Sequence, residues 1–176
     1  MTTPQVDALV IFGISGDLAY KHVIPALHAM TRRGTLDLPI VGVAKSGWDL
    51  EQLRERVRAS LAANRGVLDE QASARLLARL SYVDGDYRDE STYAALKQAL
   101  GASSAPLYYL AIAPSMFPAV AQSLAATGLA QQARLLLEKP FGRDQASAHE
   151  LNHTLRSYFP PEAIFRIDHF LGKEPV

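Results

Sequence analysis

Residues 8–19 read ALVIFGISGDLA, and their reading decides the fold. Ala8 to Phe12 is an unbroken apolar run without the alternation of a half-exposed strand. It reads as a strand covered on both faces, as in a parallel sheet. Gly13 and Gly16 follow directly, and a helix is expected from about Asp17 to Arg33, stopped by Gly34. Such a strand–turn–helix brings a helix N-terminus to the carboxyl end of the strand. There the N–H groups and the helix dipole favour a phosphate. Gly13 then makes the tight turn, Gly16 lets a phosphate approach, and Ala19 lets the helix lie close on the sheet. The spacing G-x-x-G-x-x-A departs from G-x-G-x-x-G, and a plain β-α turn is the alternative.

The pattern recurs along the chain. Further strands are expected at 39–44, 81–84, 106–112, 134–138 and 163–167. Between them lie helical patterns. Asp49 and Gln52 form an acidic relative of a capping box ahead of Leu50, Leu53, Val57 and Leu61 on one face. A helix over about 69–80 turns Leu76, Leu77 and Leu80 inward, and Tyr93, Leu96 and Leu100 mark one ending at Gly101. Two more run from Ser115 to near Gly128 and from Asp144 to Tyr158. Strands alternating with helices imply an α/β fold: a doubly wound, parallel, six-stranded sheet with helices on both faces, joined by right-handed crossovers. In such sheets ligands bind at the carboxyl ends of the strands, near the point where strand order reverses.

The 176 residues amount to one domain with a real core. Eighteen basic and eighteen acidic residues cancel, so nothing in the charge balance favours nucleic acid or an anionic membrane. There is no cysteine, which excludes disulfides and thiolate metal sites; no metal is expected. No apolar run approaches a membrane span, and MTTPQVDALV lacks the features of a secretory signal, so the expected location is cytoplasmic.

Each carboxyl edge carries a candidate. The second strand ends in Ala44-Lys45-Ser46, without the acid that commonly holds the ribose 2′-hydroxyl of NAD. A cation and a hydroxyl suit a 2′-phosphate, which favours NADP over NAD; a surface lysine beside a helix-flanking serine is the alternative. Asp84-Gly-Asp86-Tyr87 follows the third strand and reads as a polar turn that could also line the adenosine end. Tyr109 is either close to a nicotinamide or a core tyrosine. The fifth strand ends in Glu138-Lys139-Pro140, where a cis proline would set the direction of Lys139. The sixth runs into RIDHFLGKEPV, residues 166–176. His169 and Lys173 can both donate to phosphate oxygens, and on a helix their spacing puts them on one face. Asp168 suits a different task, holding an imidazole in the right tautomer.

GISGDLAYK, EKPFGRD and above all RIDHFLGKEPV resemble the N-terminal, Rossmann-like coenzyme domain of glucose-6-phosphate dehydrogenase, and the resemblance runs through essentially the whole chain. It implies oxidation of glucose 6-phosphate to 6-phosphogluconolactone with NADP, NAD binding more weakly. By it, Gly13, Ser15, Gly16, Asp17 and Leu18 form the coenzyme turn. Lys45 and Ser46 meet the 2′-phosphate, Asp86 and Tyr109 line the coenzyme, and Lys139 touches both coenzyme and substrate. His169 and Lys173 bind the sugar phosphate, and Asp168 orients a catalytic histidine. Two departures stand out. His22 occupies the place of a family lysine, and the chain ends at Val176. The family's following α+β domain, with the catalytic histidine and a homodimer or homotetramer interface, is not in the sequence. The expectation is therefore one NAD(P)-binding domain over 1–176 that binds nucleotide with little turnover alone. Two other readings are a dehydrogenase of the glucose–fructose oxidoreductase-like class, which shares E-K-P, and a non-catalytic nucleotide-binding module.

Overall fold

The computed structural model describes residues 5–64, 68–142 and 144–167. The run Ala8–Phe12 is strand β1, with all 5 residues buried. The other strands are β2 Ile40–Ala44, β3 Leu80–Asp84, β4 Pro106–Leu110, β5 Arg134–Leu137 and β6 Ile164–Arg166. All pair in parallel, in the order β3-β2-β1-β4-β5-β6. Strand order reverses at β1, whose neighbours are β2 and β4, so the topological switch lies between β1 and β4.

The absence of alternation in β1 has a direct cause. Ala8, Val10 and Phe12 enter one core, with Tyr93, Leu96, Phe117, Val120, Leu124 and Leu155. Leu9 and Ile11 enter the other, with Ile24, Leu27, Leu53, Val57 and Leu76. Helices α1 Ile24–Arg32, α2 Leu50–Ala63 and α3 Glu70–Ala78 cover that second face. Helices α4 Glu90–Leu100, α5 Phe117–Ala126 and α6 Gln145–Arg156 cover the first. Each large apolar side chain buried this way contributes on the order of 1.5–3 kcal/mol. The winding is the one the alternating pattern implies. Among the described residues no helix is long and apolar enough to cross a membrane.

The capping box at α2 is complete. Asp49 accepts from the Gln52 N–H at 2.8 Å, and Gln52 returns an acceptor to the Asp49 N–H at 2.9 Å. Leu80 corrects the expected 69–80 helix: α3 ends at Ala78, and Leu80 is the first residue of β3, buried in the second core. The first helical segment also differs from expectation. Two residues in, it passes through a π-turn, Ala19–Val23, in which the Ile24 N–H reaches back to the Ala19 carbonyl. Pro25 explains this turn: it has no N–H for the carbonyl four residues earlier, and its ring clashes with that carbonyl in a regular α-helix.

Candidate coenzyme and substrate site

Gly13 turns the chain at the end of β1 with φ +84°. A Cβ there would overlap the Ala111 carbonyl at the end of β4, so the turn presses directly against the switch point. The Gly13 N–H is held by the Val43 carbonyl at 2.8 Å, and the Gly16 N–H by the Gly13 carbonyl at 3.0 Å. Gly16 needs no left-handed backbone. A Cβ on it would approach the Gly13 carbonyl at 3.2 Å and meet nothing else described within 4 Å. Glycine here therefore leaves the front of the turn clear, which fits an approaching phosphate. Helical geometry begins at Asp17, whose exposed carboxylate lies 3.8 Å from Lys21 and 3.7 Å from Arg56. Leu18 packs against the second core.

Arg56 is a neighbour that local sequence patterns do not reveal. It projects from α2, stacks its guanidinium 4.2 Å from the Tyr20 ring centre, and donates to the Ser15 carbonyl at 3.4 Å. A cation thus braces the turn and offsets the charge of Asp17. Only the packing of α2 beside the first helical segment brings it there.

At the second edge, Ser46 donates its hydroxyl to Ser15 at 2.7 Å, joining the turns that follow β1 and β2. Asp84, at the end of β3, accepts from the N–H groups of Ser46 at 2.9 Å and Gly47 at 2.8 Å, and from the Tyr82 hydroxyl at 3.0 Å. Burial alone would raise the Asp84 pKa, but these donors outweigh it and hold the carboxyl below its ordinary value. Asp84 is thus a bracket for the Lys45–Gly47 turn. Lys45 points to Asp86, with Nζ 2.7 Å from a carboxylate oxygen. The contact raises the pKa of Lys45 and lowers that of Asp86. Lys45, Ser46, Ser15 and Asp86 therefore form one polar cluster off β1, β2 and β3. A lysine and two hydroxyls are a donor set suited to a phosphate monoester.

The other half of the rim lies on β4 and β5. Tyr109 is buried and donates its hydroxyl to Glu138, itself only 4% exposed. Burial, and then the hydrogen bond to Glu138, raise the phenol well above the ordinary tyrosine range. Glu138 was not singled out in the sequence; an acid ending an otherwise apolar strand is the signal that could have marked it. The Lys139–Pro140 peptide bond is cis, as the sequence suggested. Because β5 runs parallel to β1, Lys139 lies at the same carboxyl edge of the sheet as the Gly13–Gly16 turn. His22 and Tyr109 line an apolar cavity of about 480 Å³, together with Leu107, Leu136 and Ile167. Ile167 follows β6 and donates its N–H to the Leu137 carbonyl at 2.9 Å. Asp168, His169 and Lys173 lie outside the described residues.

The family model described as glucose-6-phosphate dehydrogenase, NAD binding domain, matches residues 10–176. Glucose-6-phosphate 1-dehydrogenase 1 of Mycobacterium tuberculosis is 44% identical over 170 residues, covering 97% of this chain and 36% of the relative. Glucose-6-phosphate 1-dehydrogenase 6, cytoplasmic, of Arabidopsis thaliana is 34% identical over 187 residues, with 96% and 36% covered. The crystal structure of glucose-6-phosphate 1-dehydrogenase from Mycobacterium avium superposes with a TM-score of 0.92 at 44% identity, covering 97% of this chain and 38% of that one. A glucose-6-phosphate dehydrogenase solved in complex with its substrate glucose-6-phosphate superposes with a TM-score of 0.86 at 36% identity, covering 98% and 39%. The chain spans a little over a third of the length of the relatives it matches.

Proposed function

The chain belongs to the glucose-6-phosphate dehydrogenase family, and from that premise we propose that residues 1–176 are the coenzyme-binding domain of an enzyme that oxidises glucose 6-phosphate with NADP. The observation that carries this reading is the clustering of Lys45, Ser46 and Ser15 beside the Gly13–Gly16 turn, at the carboxyl edge of the sheet. Gly16 leaves room for the pyrophosphate at the start of the helical segment. Ser15, Ser46 and Lys45 hold the 2′-phosphate, and Asp86 sits at the adenosine end.

The nicotinamide supplies the hydride acceptor. Tyr109 and Lys139 border it, the latter also reaching the sugar. His169 and Lys173 grip the sugar phosphate. Asp168 orients the histidine that accepts the C1 hydroxyl proton, a residue the family resemblance puts in the remainder of a longer protein. Cytoplasmic residence and assembly through that remainder belong to the same reading.

Amide spectra of the 176-residue chain titrated with NADP test the placement. Shifts concentrated at Gly13–Leu18 and Lys45–Gly47 support it. Shifts confined to the amino edge of the sheet, around the Asp7 carboxylate that binds the Ser104 and Ala105 N–H groups, would overturn it.

A further inference from the structure

Lys45 and Asp86 are unequal partners. Asp86 is anchored three ways. Its carbonyl accepts the Asp89 N–H at 3.0 Å and the Thr92 hydroxyl at 2.7 Å, and its carboxylate accepts the Arg88 N–H at 3.0 Å. The turn before it packs closely on α4, since a Cβ on Gly85 would overlap the Thr92 hydroxyl. The Asp86 side chain is 29% exposed, whereas that of Lys45 is 69% exposed on a flexible stem. The carboxylate is fixed and the ammonium is the part free to swing. The β2–β3 register pairs Ala44 with Asp84, so the two residues leave the sheet side by side.

We propose that Asp86 is a specificity-determining residue that competes with the coenzyme 2′-phosphate for Lys45 and so narrows the preference for NADP over NAD. This deepens the coenzyme reading above and rests on it. To bind a 2′-phosphate together with Ser15 and Ser46, Lys45 has to leave Asp86, and the phosphate then comes to rest near a carboxylate of like charge. A 2′-hydroxyl makes neither demand, so with NAD the pair stays closed. The cost falls on NADP alone, because only NADP breaks the pair and adds the repulsion. Both effects act at a solvated surface, so they are modest and screened by salt.

The test compares dissociation constants of NADP and NAD for the 176-residue chain and its Asp86→Asn variant at low ionic strength. Asparagine keeps an oxygen for the Arg88 N–H, so the turn is retained; Asp86→Ser is a second variant that can also accept that bond. The expected result is NADP binding tightened by about threefold to tenfold in both variants, from the loss of a like charge at a few ångströms in high dielectric. NAD binding moves much less, and the difference shrinks as salt is added. An unchanged ratio of the two constants, or weaker NADP binding in the variants, overturns the competition while leaving the coenzyme reading intact. If the unsubstituted folded chain binds neither nucleotide, both fall together.

Discussion

Tyr109 donates its hydroxyl to Glu138 across the adjacent carboxyl ends of β4 and β5, and both side chains are buried. The bond pins the end of β5 immediately before Lys139. Replacing Tyr109 by Phe removes the donor from a buried carboxyl group, at a cost of about 1–3 kcal/mol. The measurement is the urea unfolding midpoint with its slope. An unchanged midpoint would mean that the pair contributes nothing to holding this part of the rim.

Gly13 and Gly47 both have positive φ, +84° and +66°, yet their surroundings differ. Around Gly47 a Cβ would meet nothing within 4 Å, whereas at Gly13 it would overlap the Ala111 carbonyl and crowd Ile112. Gly47→Ala should cost only the left-handed strain, about 1 kcal/mol. Gly13→Ala adds a backbone collision at the switch point and should cost about 2 kcal/mol more. It should also weaken nucleotide binding. Equal losses of stability in the two variants would contradict this picture of a turn pressed against β4.

Lys45 is the cation of the second edge. Lys45→Glu places a negative charge where the 2′-phosphate is proposed to lie. The NADP dissociation constant should rise by about tenfold or more, and that of NAD by about threefold or less. Equal changes for the two nucleotides would remove Lys45 from the 2′-phosphate.

Burial raises the phenol pKa values of Tyr82, Tyr93, Tyr108 and Tyr109, that of Tyr93 to about 12. The folded chain keeps these protons at pH values where the unfolded chain, with ordinary phenols near 10.0, has begun to release them. Stability therefore falls as pH rises above that value, since the folded state then binds more protons. Unfolding midpoints measured across that range should decline steadily, and the ionisation of these four phenols should accompany unfolding rather than precede it. Flat stability through the range would show that these phenols titrate freely in the folded protein.

Much of this architecture could be read from local patterns, because each element announces itself within a few residues. Ala8–Phe12 is uniformly apolar because its two sides serve different cores, and Asp49 and Gln52 complete each other's bonds within one turn. Leu80 shows where periodicity fails. It lies four residues after Leu76, as a helical face requires, yet the chain has already left α3 at Ala78 and entered β3. The uninterrupted helix expected over Asp17–Arg33 overlooked Pro25, beside which the chain takes a π-turn.

The site was legible as a set of strand ends and illegible as a set of contacts. Lys45 meets Asp86 across 41 positions of sequence, and Tyr109 meets Glu138 across 29. Both pairings depend on strand register, which no local motif encodes. Arg56 reaches the Ser15 carbonyl only because α2 packs beside the first helical segment.

Titration calorimetry of the folded 176-residue chain with NADP, NAD and glucose 6-phosphate bears most directly on the claim that the carboxyl rim around β1 and β4 is a dinucleotide site. The account predicts measurable NADP binding, weaker NAD binding and very weak binding of the sugar phosphate. A folded chain that gives no heat with either nucleotide, or that takes NAD more tightly than NADP, would contradict it.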